Sequence, residues 1–86
     1  MSQVVLFTPQ GWEDYLFWQS TDTQVLKKIN SLIKECKRNP YSGTGKPEPL
    51  RHALAGSWSR RITSEHRLVY RIVDDTIQVI ACRYNY

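Results

Sequence analysis

Glu48 lies between Pro47 and Pro49 in the run Gly45-Lys46-Pro47-Glu48-Pro49-Leu50-Arg51-His52, and Trp58-Ser59-Arg60-Arg61 and Glu65-His66-Arg67 follow closely. A carboxylate set among arginines in a small basic chain suits cleavage of a phosphodiester without a metal. The carboxylate can take a proton from a sugar hydroxyl while guanidiniums hold the phosphate and its developing charge. The flanking prolines stiffen the backbone around Glu48, which suits a group whose misplacement would cost rate. The plainer alternative is a connector whose carboxylate is merely solvated. His66 stands next to an expected turn and reads as a hydrogen-bonded structural histidine rather than a proton donor.

The charge distribution points the same way. The net charge is +4, and residues 46–71 hold six Lys/Arg against two Asp/Glu, so the excess sits in one segment. That is the footprint of a phosphate-bearing partner. At 86 residues the chain is sized for one domain, over residues 1–86. No apolar run approaches the roughly 20 residues that span a bilayer, and the first residues lack the basic start of a signal peptide. A cytoplasmic protein with no membrane partner is expected. Cys36 and Cys82 read as small buried hydrophobes. Their spacing to the histidines matches no metal set, so neither a metal nor another cofactor is expected.

These residues need elements to carry them. Val4–Phe7 reads as a strand, and Thr8-Pro9 as a helix cap followed by proline in the first turn, opening a helix over Gln10–Ser20. A second helix opens at Thr21 or Asp22. Val25, Leu26, Ile29, Leu32, Ile33 and Cys36 recur along it at three- and four-residue steps, and Asn39-Pro40 stops it. Residues 39–49 form a loop. Ser57–Thr63, Arg67–Val73 and Thr76–Tyr84 read as antiparallel strands, with Asp74-Asp75 as a two-residue turn. Pairing Val73 with Thr76 puts Leu68, Tyr70, Ile72, Ile77, Val79 and Ala81 on one apolar face. Arg61, Arg67, Val69, Arg71, Cys82, Tyr84 and Tyr86 then fall on a cationic, aromatic face open to RNA. Trp12, Trp18 and Trp58 are all assigned to the core. The fold class is α+β: two N-terminal helices on one face of a small antiparallel sheet, in the order β-α-α-β-β-β.

In these motifs, and in Trp12-Glu13-Asp14-Tyr15-Leu16-Phe17-Trp18-Gln19, Lys27-Lys28-Ile29-Asn30 and Cys82-Arg83-Tyr84-Asn85-Tyr86, the chain resembles the RelE-superfamily ribonuclease toxins of the YoeB/Txe type from bacterial type II toxin–antitoxin modules. The resemblance runs nearly end to end and agrees with the α+β reading. It implies a ribosome-dependent endoribonuclease that cuts messenger RNA in the ribosomal A site and so inhibits translation. It also implies a proteic antitoxin whose acidic segment meets the basic face, with homodimerisation left open. By matching position, Glu48 resembles the general base and Arg67 the residue that stabilises the transition state. Lys46, Arg51, His52 and Arg61 match positions that hold RNA or shape the site, and Tyr86 matches the C-terminal aromatic.

One position departs from that pattern. Asn85 stands where the family typically has a histidine that protonates the leaving 5′-oxygen. An amide donates a hydrogen bond but has no proton to give near neutral pH. Either Tyr86, His52 or water supplies the proton, or the chain is a catalytically weakened module that binds RNA or the ribosome.

Overall fold

The computed structural model describes residues 4–84. Chain order is β1 (Val4–Phe7), α1 (Pro9–Thr21), α2 (Thr23–Arg38), β2 (Glu48–Pro49), a 3₁₀ turn over His52–Leu54, β3 (Trp58–Arg61), β4 (Arg67–Val73) and β5 (Thr76–Ala81). Local chemistry sets the helix ends. The Thr8 hydroxyl accepts the Gly11 amide at 3.0 Å with Pro9 in the first turn, and the Asp22 carboxylate accepts the Gln24 and Val25 amides. Lys37 and Arg38 lie in the last turn of α2, where the helix dipole favours cations.

The five strands form one sheet in the order β1-β5-β4-β3-β2. The α+β class stands, with two details changed. β1 runs parallel to β5, so the sheet is mixed rather than antiparallel. The chain crosses from β1 through both helices before the other strands form, and a connection of that length permits a parallel partner. Second, Glu48 is not in a loop: Glu48–Pro49 pairs with Ser59 and Trp58 as a short edge strand. Proline is tolerated there because an edge strand has a side without ladder bonds.

The apolar stripe of α2 packs with Trp18 of α1 onto Leu68, Tyr70, Ile77 and Val79 of the sheet. Val73 does pair with Thr76, as the Asp74-Asp75 turn requires. Further along, the register shifts: Tyr70 faces Val79, but Val69 faces Ala81, leaving Ile80 as the extra residue of a bulge. Side-chain parity therefore inverts beyond the bulge. Ala81 lies on the open face with Val69, and Cys82 belongs to the core cluster, reversing both sequence assignments. Trp12 is also corrected. It is 48% exposed, stacked on Tyr15 at 5.9 Å and edge-on to Phe7 at 5.6 Å, whereas Trp18 is buried.

β3 carries the largest surprise. The sequence assigns Trp58 to the core, and strand parity makes Arg60 core-facing with it. Its side chain is 0% exposed. The guanidinium donates to the Tyr70 hydroxyl at 3.2 Å, to the carbonyls of Thr44 at 3.0 Å and Ser42 at 2.9 Å, and to the Asn39 carbonyl. The Tyr70 hydroxyl donates in turn to the Pro40 carbonyl at 2.6 Å. A buried charge is tolerated when its donors are satisfied. Burial raises the Tyr70 hydroxyl to about 12, with the Arg60 hydrogen bond opposing that rise.

Candidate active site

The Arg60 network fixes the loop that delivers Glu48. Asn39, Ser42 and Thr44 hang their carbonyls on the guanidinium, and Gly45 closes the loop against the Arg60 stem. Gly45 has φ +85°, and a Cβ there would meet the Leu32 side chain at 3.0 Å and Arg60 Cβ at 3.1 Å, so this turn needs glycine. The Arg61 amide donates to the Gly45 carbonyl at 2.7 Å, leading into Lys46-Pro47-Glu48 and the pairing of β2 with β3.

On the open face of the sheet, Glu48 and Arg67 meet. Arg67 Nη1 donates to Glu48 Oε1 at 2.9 Å, the one ion pair seen among the described residues. The carboxylate side chain is 58% exposed and the arginine side chain 16%, so the carboxylate stays open to solvent while its cation is held. Arg67 Nη1 also lies 3.4 Å from the Ser59 hydroxyl. Ser59 is fully buried and directly opposite Glu48. It was not singled out in the sequence, although its parity with Arg61 places it on the site face.

Arg61 is the cross-strand partner of Arg67. Like charges directly opposite each other destabilise a sheet, so this pairing costs stability unless an anion lies between them. Glu48 offsets part of the charge on Arg67. Arg61 is exposed and faces solvent, where a phosphate would complete the balance.

The other expected RNA-binding residues frame this pair without being shown to touch it. Lys46, at φ 51°, and His52, at φ 58°, are both exposed non-glycine residues in the left-handed region, a conformation that concentrates at functional segments. Arg51 is exposed at the start of the 3₁₀ turn. Arg71 straps that turn down, donating from Nη2 to the Ala55 carbonyl at 3.0 Å. Asn85 and Tyr86 lie outside the described residues. The path toward them is built firmly, however. The Tyr84 amide donates to His66 Nδ1 at 2.8 Å, the Arg67 amide to the Tyr84 carbonyl at 3.0 Å, and Trp18 Nε1 to the Cys82 carbonyl at 2.8 Å. His66 is the structural histidine expected, and its bond to Tyr84 ties that residue beside Arg67.

Burial raises the Cys82 thiol to about 12, with the Asp14 carboxylate adding to the rise, and burial also raises Cys36. Both are free, buried thiols of the core. Among the described residues, no group of three or more His, Cys, Asp or Glu could hold a metal ion. No helix of those residues is long and apolar enough to cross a membrane.

A family profile described as "YoeB-like toxin of bacterial type II toxin-antitoxin system" matches residues 7–86. The chain is 56% identical over 82 residues to the toxin YoeB of Escherichia coli (strain K12), covering 95% of this chain and 98% of that one. It superposes on a YoeB/ParE toxin from Agrobacterium tumefaciens with TM-score 0.95 at 50% identity, over 98% of this chain and 100% of that one. It is also similar to the toxin in a YoeB-YefM complex from Staphylococcus aureus, with TM-score 0.90 at 44% identity over 99% of this chain and 100% of that chain. A YoeB dimer from the same organism gives TM-score 0.92 at 45% identity, with 100% of both chains covered.

Proposed function

The chain belongs to the YoeB-like toxin family of bacterial type II toxin–antitoxin systems, and on that premise we propose that it is an endoribonuclease cutting messenger RNA in the ribosomal A site. The observation carrying this reading is the Glu48–Arg67 pair on an open sheet face, with Arg61 opposite Arg67 and no acid paired to Arg61 among the described residues. Glu48 takes the proton of a ribose 2′-hydroxyl. The freed oxygen attacks the adjacent phosphorus, and the P–O5′ bond breaks as the leaving oxygen gains a proton. Arg67 and Arg61 hold the phosphoryl oxygens as charge builds, where preorganised donors act most strongly. The products are a 2′,3′-cyclic phosphate and a 5′-hydroxyl end, and no step passes through a metal.

Lys46, Arg51 and His52 hold the RNA backbone on either side of this pair. Tyr86, His52 or water supplies the departing proton, because Asn85 cannot. The absence of that histidine is also what favours the second reading, a weakened module that grips RNA or the ribosome without cutting. A cell-free translation reaction with primer extension separates the two: cut sites mean an enzyme, inhibition with intact message a binder. Glu48→Gln should strongly weaken the cut sites in a folded protein, and products bearing 5′-phosphates would overturn the mechanism.

The protein acts in the bacterial cytoplasm, where its target is translated. Its partner is a cognate antitoxin, a reading supported by the Staphylococcus aureus complex, and the dimer from that organism supports a homodimer as well. An acidic antitoxin segment would find a complementary surface in Arg61, Arg67 and Lys46.

A further inference from the structure

On the open face, the pairings Glu48–Ser59, Ser59–Val69 and Val69–Ala81 place four residues in one row across four strands. At one end of the row stands the carboxylate. At the other, Val69, Ile80 and Ala81 floor a cavity of about 470 Å³, walled by Leu54 of the 3₁₀ turn and by Pro9 and Glu13 of α1. Strands lie about 4.8 Å apart, so Val69 is of the order of 10 Å from Glu48 across the sheet. Val69 is also flanked along β4 by Arg67 and Arg71. The cavity exists because of the bulge at Ile80, which turns the small Ala81 onto this face and removes Cys82 from it.

We propose that this cavity is a base-binding subsite, and that it takes a guanine of the RNA lying close to the cut bond. The proposal rests on the cleavage reading above, which places the RNA backbone at Arg67. A backbone held there runs beside the cavity, and a splayed base has an apolar slot to enter. The Val69 and Ile80 floor and the Leu54 wall offer apolar contact to a flat ring, as single-stranded RNA readers do with unstacked bases.

Glu13 supplies the selectivity. It is exposed at the cavity wall and makes no side-chain hydrogen bond or ion pair among the described residues, and an ionised carboxylate only accepts hydrogen bonds. Guanine is the base whose Watson–Crick edge presents two adjacent donors, the N1 and N2 hydrogens, matching both carboxylate oxygens at once. Adenine and cytosine offer one amino group beside an acceptor that faces the second oxygen unfavourably, and uracil offers an imino hydrogen between two carbonyls.

The test uses the full chain and a 2′-deoxy trinucleotide, which lacks the attacking hydroxyl and so reports binding alone. Its central base is guanine or hypoxanthine, the latter lacking the N2 amino group. NMR shifts should concentrate at Val69, Ile80 and Ala81, with guanine binding roughly tenfold more tightly, the lower part of the range for a bidentate contact. Glu13→Gln should erase that difference without altering the spectrum of the core, and Glu48→Gln should preserve it. Equal binding of both bases, shifts confined to other surfaces, or a preference that survives Glu13→Gln would each overturn the subsite. So would occupation of the cavity by an antitoxin segment but not by the oligonucleotide. Because binding is read without cleavage, guanine-selective binding in a protein that cuts nothing would sink the nuclease reading alone. Cleavage with no selectivity would sink the subsite alone.

Discussion

Replacing Arg60 with alanine should damage this protein more than replacing any residue of the site face. The side chain is fully buried, and its guanidinium satisfies the Thr44, Ser42 and Asn39 carbonyls and the Tyr70 hydroxyl at once. Truncation removes those bonds, opens a cavity and takes one partner from the Tyr70 hydroxyl, which keeps the Pro40 carbonyl. Truncating so large a buried side chain to alanine costs about 3–5 kcal/mol. The carbonyls belong to exposed loop residues that water can reach after the change, which favours the lower half of that range. For a domain of this size, 1 kcal/mol moves Tm by about 4–8 °C, so Arg60→Ala should lower it by at least about 12 °C. Thermal unfolding followed by circular dichroism is the assay. Arg60→Met separates the terms, because methionine fills much of the stem's volume and donates nothing. If Arg60→Met matched the parent within about 0.5 kcal/mol, hydrogen bonding would be cancelled by the desolvation of the charge, and the idea that Arg60 organises the loop energetically would fail. Well below the transition, Arg60→Ala should still cut poorly, because the loop that delivers Glu48 has lost its anchor. Full activity in the folded variant would refute that part.

Other changes should separate chemistry from stability. Glu48→Gln and Arg67→Ala should each lower cleavage by about 10²-fold or more. Loss of the exposed Glu48–Arg67 ion pair itself should cost under about 1 kcal/mol, as denaturant midpoints will show. Asn85→His should raise the single-turnover rate by about 10²-fold or more, and an unchanged rate would assign the departing proton to another group. Arg71→Ala should free the turn over His52–Leu54, raising KM more than it lowers kcat and speeding amide exchange at Ala55. Stability should fall as pH rises from about 9 toward 12. Tyr70 and Cys82 are held protonated by burial, with values near 12 against ordinary ones of 10.0 and 9.0. The unfolded chain therefore releases those protons first and gains on the native state across that window. Stability that stayed flat to pH 11 would contradict their burial.

Much of this architecture is written locally in the chain. Thr8-Pro9 and Asp22 cap their helices because each needs only neighbours a few residues away. The stripe from Val25 to Cys36 points one way because helical periodicity leaves it no choice, and Asp74-Asp75 sets the register of the β4–β5 hairpin by turn geometry alone. The grouping of Glu48 with cations was legible for the same reason, since its carriers are near in sequence and its prolines limit the backbone. Three features depended instead on contacts between distant segments. β1 found a parallel partner in β5 only after both helices had crossed the sheet. The bulge at Ile80 arose where β5 had to fit both β4 and α1, with the Thr8 hydroxyl donating to the Ile80 carbonyl at 2.9 Å and the Asp14 carboxylate accepting the Cys82 amide at 3.0 Å. Arg60 could be buried because the loop from Asn39 to Thr44 brought carbonyls to it, and strand parity alone carries no information about who waits on the other side. Periodicity fixes which way a side chain points, whereas what it meets there is settled by packing across the whole chain.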